Sequence, residues 1–283
     1  MTQIFPARQA QGLRWAGKLG KNQLISNPIL MEKIRASFPG GLVKRLIHSY
    51  TVVLILSLSA CTELPRQAFD KDTARDLRTV VVTDHAKDEY FWVTIVSYSQ
   101  VFTLNLAGGI FAAADLWAKT ARVTTALDPK QTRVQNRLSR RLAEGLNSCG
   151  YDAEVITFDE PARLDDALKL ASQRSKADAV VAVRVYASYV AASWDSDYIP
   201  QVLATVKAFD AKSGKVLYED AISYGYEAAK LYKTVHSASE AKYRFRSVDD
   251  IVKNAELARE GLLAGADAIA AQIAADLDPK RSE

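Results

Sequence analysis

An uncharged, largely apolar run from Leu46 to Ala60 lies directly behind Lys44-Arg45 and stops at Cys61. Its most apolar part, Thr51 to Leu58, is too short for a hydrocarbon core about 30 Å thick, which takes about 20 apolar residues to cross as a helix. A basic cluster, a short apolar stretch and a small-residue end are the order that a secretory signal requires, because the stretch must enter the translocon without staying in the bilayer. Residues 1–60 are therefore expected to be a signal peptide, and any globular fold must be built from residues 61–283. Such leaders run to about 15–30 residues. Met31 opens Met-Glu-Lys-Ile-Arg and leaves 30 residues before Cys61, so Met31 is expected to be the true start.

Dividing the chain there changes its charge. Residues 1–60 hold eight basic residues (Arg8, Arg14, Lys18, Lys21, Lys33, Arg35, Lys44 and Arg45) against Glu32 alone. The other 29 basic and 32 acidic residues leave −3, whereas the whole chain stands at +4. Phosphate backbones need a concentrated positive surface, so nucleic acid is not an expected partner. Cys61 and Cys149 are the only cysteines. If Cys61 is modified, Cys149 has no partner, and a hydrophobic core rather than a disulfide framework must hold the fold.

Leu58-Ser59-Ala60-Cys61 resembles the lipobox of bacterial lipoproteins, in which Leu, a small residue and Ala or Gly precede the cysteine that receives diacylglycerol. The resemblance implies cleavage before Cys61, a thioether on its sulfur and an acylated new amino terminus, giving a protein anchored to a membrane rather than spanning it. Thr62 stands where an Asp is associated with inner-membrane retention, which implies the periplasmic face of the outer membrane.

Residues 62–78 are polar, without a sustained apolar period, and are expected to form a tether. Thr79 to Thr83 reads as a buried strand. No charged residue occurs from Tyr90 to Ala114, but the polar residues and Gly108-Gly109 within it argue against a membrane span. From Val96 to Leu106 apolar and polar residues roughly alternate, which predicts a strand or hairpin over 94–106, followed by a short helix at Ile110–Lys119. Asp128-Pro129 reads as the start of a helix over 129–148, with Val134, Leu138, Leu142 and Leu146 on one side. Strands are expected at 152–158, 179–187, 201–209 and 215–224, and a helix at 162–174. The last two strands flank Asp210-Ala-Lys-Ser-Gly-Lys215, which suits a hairpin connection. Ser247-Val-Asp-Asp250 is a capping box that opens a helix to about Leu277, with Ile251, Leu262, Ile269 and Ile273 inward. The order predicts one compact α/β domain over 79–283, a mixed sheet of four to six strands with helices packed on it.

The run Lys169-Leu-Ala-Ser-Gln-Arg-Ser-Lys-Ala-Asp-Ala-Val-Val-Ala-Val183, with Tyr198-Ile-Pro200 and Asp210 to Tyr218, resembles the small α/β domain at the amino-terminal half of the Tol-system propeller protein. That topology is shared by the curli-secretion channel and the lipoprotein activators of peptidoglycan synthases. The likeness implies a fold over about 79–277, and a fold does not give a function.

Candidate chemistry is sparse. The histidines after Cys61 are His85 and His236. Asp84-His85 and Asp88-Glu89 follow a strand, but neighbours on a strand face opposite ways, so a solvated loop is expected rather than a metal site. Ser239-Glu-Ala-Lys242 matches the Ser-x-x-Lys spacing of penicillin-recognising enzymes without their companion motifs. No nucleophile elbow, phosphate loop, dinucleotide fingerprint or zincin motif occurs, and no cofactor is expected. Cys149 is expected to be an idle, part-buried thiol. Arg133, Arg137, Arg140 and Arg141 share one helix face, either solvated or set against anionic headgroups or an acidic partner. Trp194 in Ala-Ser-Trp-Asp-Ser-Asp is expected to be exposed and is a candidate interface residue. The expectation is a lipid-anchored cell-envelope protein that binds or assembles, with a periplasmic protein or its own copies as partner. A secretion-pore subunit and an envelope hydrolase are the alternatives.

Overall fold

A computed structural model describes residues 66–87, 89–97, 106–160, 163–226 and 235–280. The expected signal peptide, the lipobox-like Leu58-Ser59-Ala60-Cys61 and residues 98–105 of the expected hairpin lie outside the described residues.

Seven strands and six helices occur among the described residues. They run α1 (Lys71–Ala74), β1 (Thr79–His85), β2 (Trp92–Ile95), α2 (Leu106–Leu127), α3 (Val134–Ser148), β3 (Asp152–Phe158), α4 (Leu164–Ser172), β4 (Ala179–Ala191), β5 (Ile199–Asp210), β6 (Val216–Gly225), β7 (Val235–Ser237), α5 (Val248–Lys253) and α6 (Ala255–Asp276). All seven strands form one mixed sheet in the order β3-β1-β4-β5-β6-β7, and β2 is also paired with β4. β1 lies parallel to both β3 and β4, β2 is parallel to β4, β4-β5-β6 are antiparallel, and β7 is parallel to β6. Where β1 and β4 pair, Val80 to Val82 and Ala179 to Val183 are continuous Val and Ala and buried, as in strands covered on both faces.

Alternation along the strands divides the core. Val80 and Val82 of β1 and Val181 and Val183 of β4 point toward α3 and α6 in the main cluster. Val81, Val180 and Ala182 point to the opposite face, where α4 covers them with Ala167 and Ala171. α6 lies close on the sheet because small residues line its inner side: Ala258, Gly261, Gly265, Ala266 and Ala270 are all buried. Ser213-Gly214 turns β5 into β6, with Gly214 at φ +72°.

Several elements differ from the sequence-based expectation. Asp128-Pro129 does not open a helix. Asp128 adopts φ +48°, and its carbonyl accepts from the amides of Gln131 and Thr132, making a turn, so α3 begins at Val134. The helix expected at Ile110–Lys119 runs from Leu106 to Leu127, continuing through Gly108-Gly109. The long carboxy-terminal helix is interrupted at Asn254 (φ −113°, ψ 43°), although Ser247 caps its first part as expected by accepting from the Asp250 amide at 3.1 Å. β2 and β7 bring the sheet to seven strands. Part of the stretch expected as a tether lies on the domain. Gln67 exchanges backbone hydrogen bonds with Glu219 (2.7 and 3.0 Å), and the Asp70 amide reaches the Leu217 carbonyl.

Candidate functional site

The most unusual local construction lies where β1 and β2 share one edge of β4. β1 pairs with β4 through Val82↔Val181, and β2 pairs with it from Trp92↔Ser188 onward. Between these points β4 has inward-facing backbone groups and no strand beside it, and a buried group of that kind must find a partner. Gln135, in the first turn of α3, supplies it. Its side-chain amide nitrogen donates to the Val183 carbonyl at 3.1 Å, and its oxygen accepts from the Val185 amide at 3.0 Å. The hydroxyl of Thr83 accepts from the Val183 amide, and Ser139 donates to the Thr83 carbonyl at 2.9 Å. One glutamine thus takes the place of a short strand. On the far side of β2, Thr120 and Thr124 of α2 accept from the Val93 and Phe91 amides at 3.0 and 3.1 Å.

Polar side chains gather where β1 ends. Asp84 is fully buried, and one of its oxygens accepts from Asn136 at 2.7 Å and from Thr157 at 3.3 Å. Its other oxygen and His85 Nδ1 are buried without a hydrogen-bond partner among the described residues, beside a cavity of about 10 Å³, room for one water. Burial pushes the His85 imidazole below its usual value, against the pull of the Asp84 charge. Glu89 caps α3, accepting from the Gln135 amide at 2.8 Å, yet burial pushes its carboxyl up to about 7. His85, Glu89, Tyr90, Trp92, Arg184 and Tyr186 line a shallow groove of about 190 Å³ over this edge. Its mixture of aromatic rings with charged groups suits contact with a polar or amphipathic partner. Among the described residues no group of three His, Cys, Asp or Glu is placed to hold a metal ion; Asp88 lies outside them.

The sequence candidates are dispersed. Arg133 donates to the His85 carbonyl at 3.2 Å and lies 3.9 Å from Asp84. Arg137 makes a two-pronged pair with Asp267 of α6 at 2.7 and 2.8 Å, and Arg141 pairs with Glu144 at 2.6 Å. Much of the arginine face is thus engaged by carboxylates of the domain itself, with Arg140 exposed beside them. Trp194 stands 78% exposed in the β4–β5 connection. Cys149 is half-buried, its thiol turned to the Ala274 carbonyl and pushed up by burial. Lys242 is bonded to Glu260 and stacked on Tyr243; that hydroxyl and Glu260 hold its ammonium well above the usual value, the opposite of what a base beside Ser239 would need. His236 lies 3.2 Å from Ser223, which is buried in β6. Gln135 and the Trp92–Trp117 pair, edge to face at 5.6 Å, were not singled out by the sequence. The available signal was Gln135 and Ser139 four residues apart beside the apolar stripe of α3.

No family model matches the chain, and no curated protein matches it. Among solved structures, the PelC dodecamer from Paraburkholderia phytofirmans aligns over 76% of this chain and 95% of its own at 12% identity, with a TM-score of 0.31. A hypothetical protein from Chlamydia trachomatis aligns over 71% and 98% at 13% identity (TM-score 0.32), and a lipoprotein from Neisseria meningitidis over 54% and 90% at 14% identity (TM-score 0.22). Likenesses of this size carry no argument about what this chain does.

Proposed function

We propose that this chain is a lipoprotein of the cell envelope, held by lipid on Cys61 at the periplasmic face of the outer membrane, and that its domain acts by binding rather than catalysis. The observation that carries the reading is the sequence Leu58-Ser59-Ala60-Cys61 at the end of a short apolar run, five residues ahead of Arg66, from which the chain is already tied to the sheet by the Arg66–Asp220 ion pair at 3.1 Å. An anchor so close to the domain holds it against the bilayer surface. The groove beside the β1–β2 gap and the exposed aromatics around it supply a surface for a protein partner or a second copy.

The test is mass spectrometry of the protein purified from membranes, alongside Cys61→Ser. The expected result is an amino-terminal peptide beginning at Cys61 with the mass of three acyl chains, absent from the variant, which accumulates uncleaved. An unmodified chain beginning at residue 1 or 31 would overturn both the anchor and the localisation.

A further inference from the structure

Along its open edge β4 is served by a succession of unlike partners, and one position in that succession is left over. Val183 and Val185 turn their backbone groups toward the gap between β1 and β2, as their bonds to Thr83 and Gln135 show. Alternation turns Ala187 the same way. Gln135 takes the Val183 carbonyl and the Val185 amide, and the parallel ladder that begins at Trp92, opposite Ser188, takes the Ala187 carbonyl. Between them remain the Val185 carbonyl and the Ala187 amide, which nothing reaches among the described residues. One acceptor and one donor so placed on a strand are what a single residue of a parallel neighbour satisfies with its own N–H and C=O. Both residues contribute to the groove of about 190 Å³, far more than the roughly 10–15 Å³ that one water needs.

The two ends of this position decide what can enter it. A longer strand laid along β4 would meet the Gln135 side chain on one side and Trp92 on the other, so a chain that pairs here does so at its end. The charges on the rim select which end. The Arg184 guanidinium stands 5.2 Å from the centre of the Tyr186 ring and forms no ion pair among the described residues, whereas Lys87 is held by Glu160 at 2.7 Å. The described acidic groups nearby are not offered to an amino end. Asp84 is fully buried, and Glu89 is bonded to the Gln135 amide, with burial pushing its carboxyl up to about 7. The exposed rings of Tyr90, Trp92 and Tyr186 around the groove give an amphipathic surface to the residue before the last.

We propose that the groove receives the carboxy-terminal residue of a partner polypeptide: its N–H donates to the Val185 carbonyl, a terminal oxygen accepts from the Ala187 amide, and Arg184 balances the carboxylate. The proposal rests on the binding role proposed above and is independent of the anchor at Cys61.

The test is a nuclear magnetic resonance titration of the isotope-labelled full protein, purified from membranes in detergent, with acetyl-Ala-Ala-Ala and with its carboxamide. Two backbone bonds and one charged contact predict a dissociation constant on the order of 1 mM, and the Ala187 amide resonance is expected to move downfield with the acid. Arg184→Gln is expected to weaken binding at least about five-fold while the rest of the spectrum stays in place. Equal shifts with the carboxamide would overturn the chain end in favour of an internal segment. Shifts with unacetylated trialanine alone would assign the groove to free oligopeptides and overturn the partner's tail. An Ala187 resonance that stays unmoved at about ten times the expected constant would overturn the proposal. A photo-crosslinking residue in place of Tyr186 separates that failure from failure of the binding role. Protein adducts in membranes without any peptide-induced shift would overturn the tail and keep the role, and neither adducts nor shifts would overturn both.

Discussion

Glu89 is a carboxylate placed where two effects oppose each other. The first turn of α3 presents free amides that favour a negative charge, and Glu89 accepts one of them, yet desolvation outweighs the bond and lifts its proton affinity from an ordinary 4.5 to about 7. Folded, it keeps its proton up to about pH 7; unfolded, it releases the proton near 4.5. Within that window the folded state binds more protons, so this group's contribution falls as pH rises and is lost above about 7. Glu89→Gln keeps an acceptor on the same amide without the charge. It is expected to match the parent in thermal unfolding near pH 4 and to exceed it by about 1–3 kcal/mol at pH 8. A parallel pH dependence in both proteins would show that Glu89 is solvated.

At the scale of elements, the parts that sequence reasoning recovers are those whose pattern is local. Asp152–Phe158 and the hairpin about Asp210–Lys215 fall where alternation and turn chemistry place them, because each is settled within a few residues. Gln135 was not legible because its partners, Val183 and Val185, lie about 50 residues away and a sheet gap leaves no mark in either segment. β7 has three residues, too few for a period. Asp128-Pro129 misleads because the same pair serves a turn as readily as a helix start. Replacing Gln135 with Leu keeps most of the volume and strands two buried backbone groups, at about 1–3 kcal/mol each, so a loss of about 2–5 kcal/mol in urea unfolding is expected. α6 offers a second check. A Cβ on Gly265 would lie 2.6 Å from Tyr224 and 2.7 Å from Val202, so Gly265→Ala is expected to cost about 1–3 kcal/mol despite its better helix propensity. A stabilised variant would mean that α6 can lift from the sheet at no cost.

For the whole molecule, the segment before β1 belongs to the fold as much as to the proposed anchor. Phe69, Ala74 and Leu77 pack into the main core, and Arg66 faces the nearly buried Asp220. A chain beginning at Thr79 is therefore expected to unfold with at least about 3 kcal/mol less stability than one beginning at Glu63; equal urea midpoints would reduce the segment to a passive link. Much of the candidate site lay beyond sequence reasoning at this scale, since Trp92 and Trp117 meet only because α2 packs beside β2. The division of labour along β4 also bears on how such a chain can diverge. Because a side chain, and not a third strand residue, bridges β1 and β2, each keeps its own register on β4. Glu89, which caps α3, and Phe91, buried with its amide on Thr124, fix the end of the connector that leads into β2, so in descendants of this sequence only the exposed stretch about Lys87 is free to drift in length while Gln135 is not.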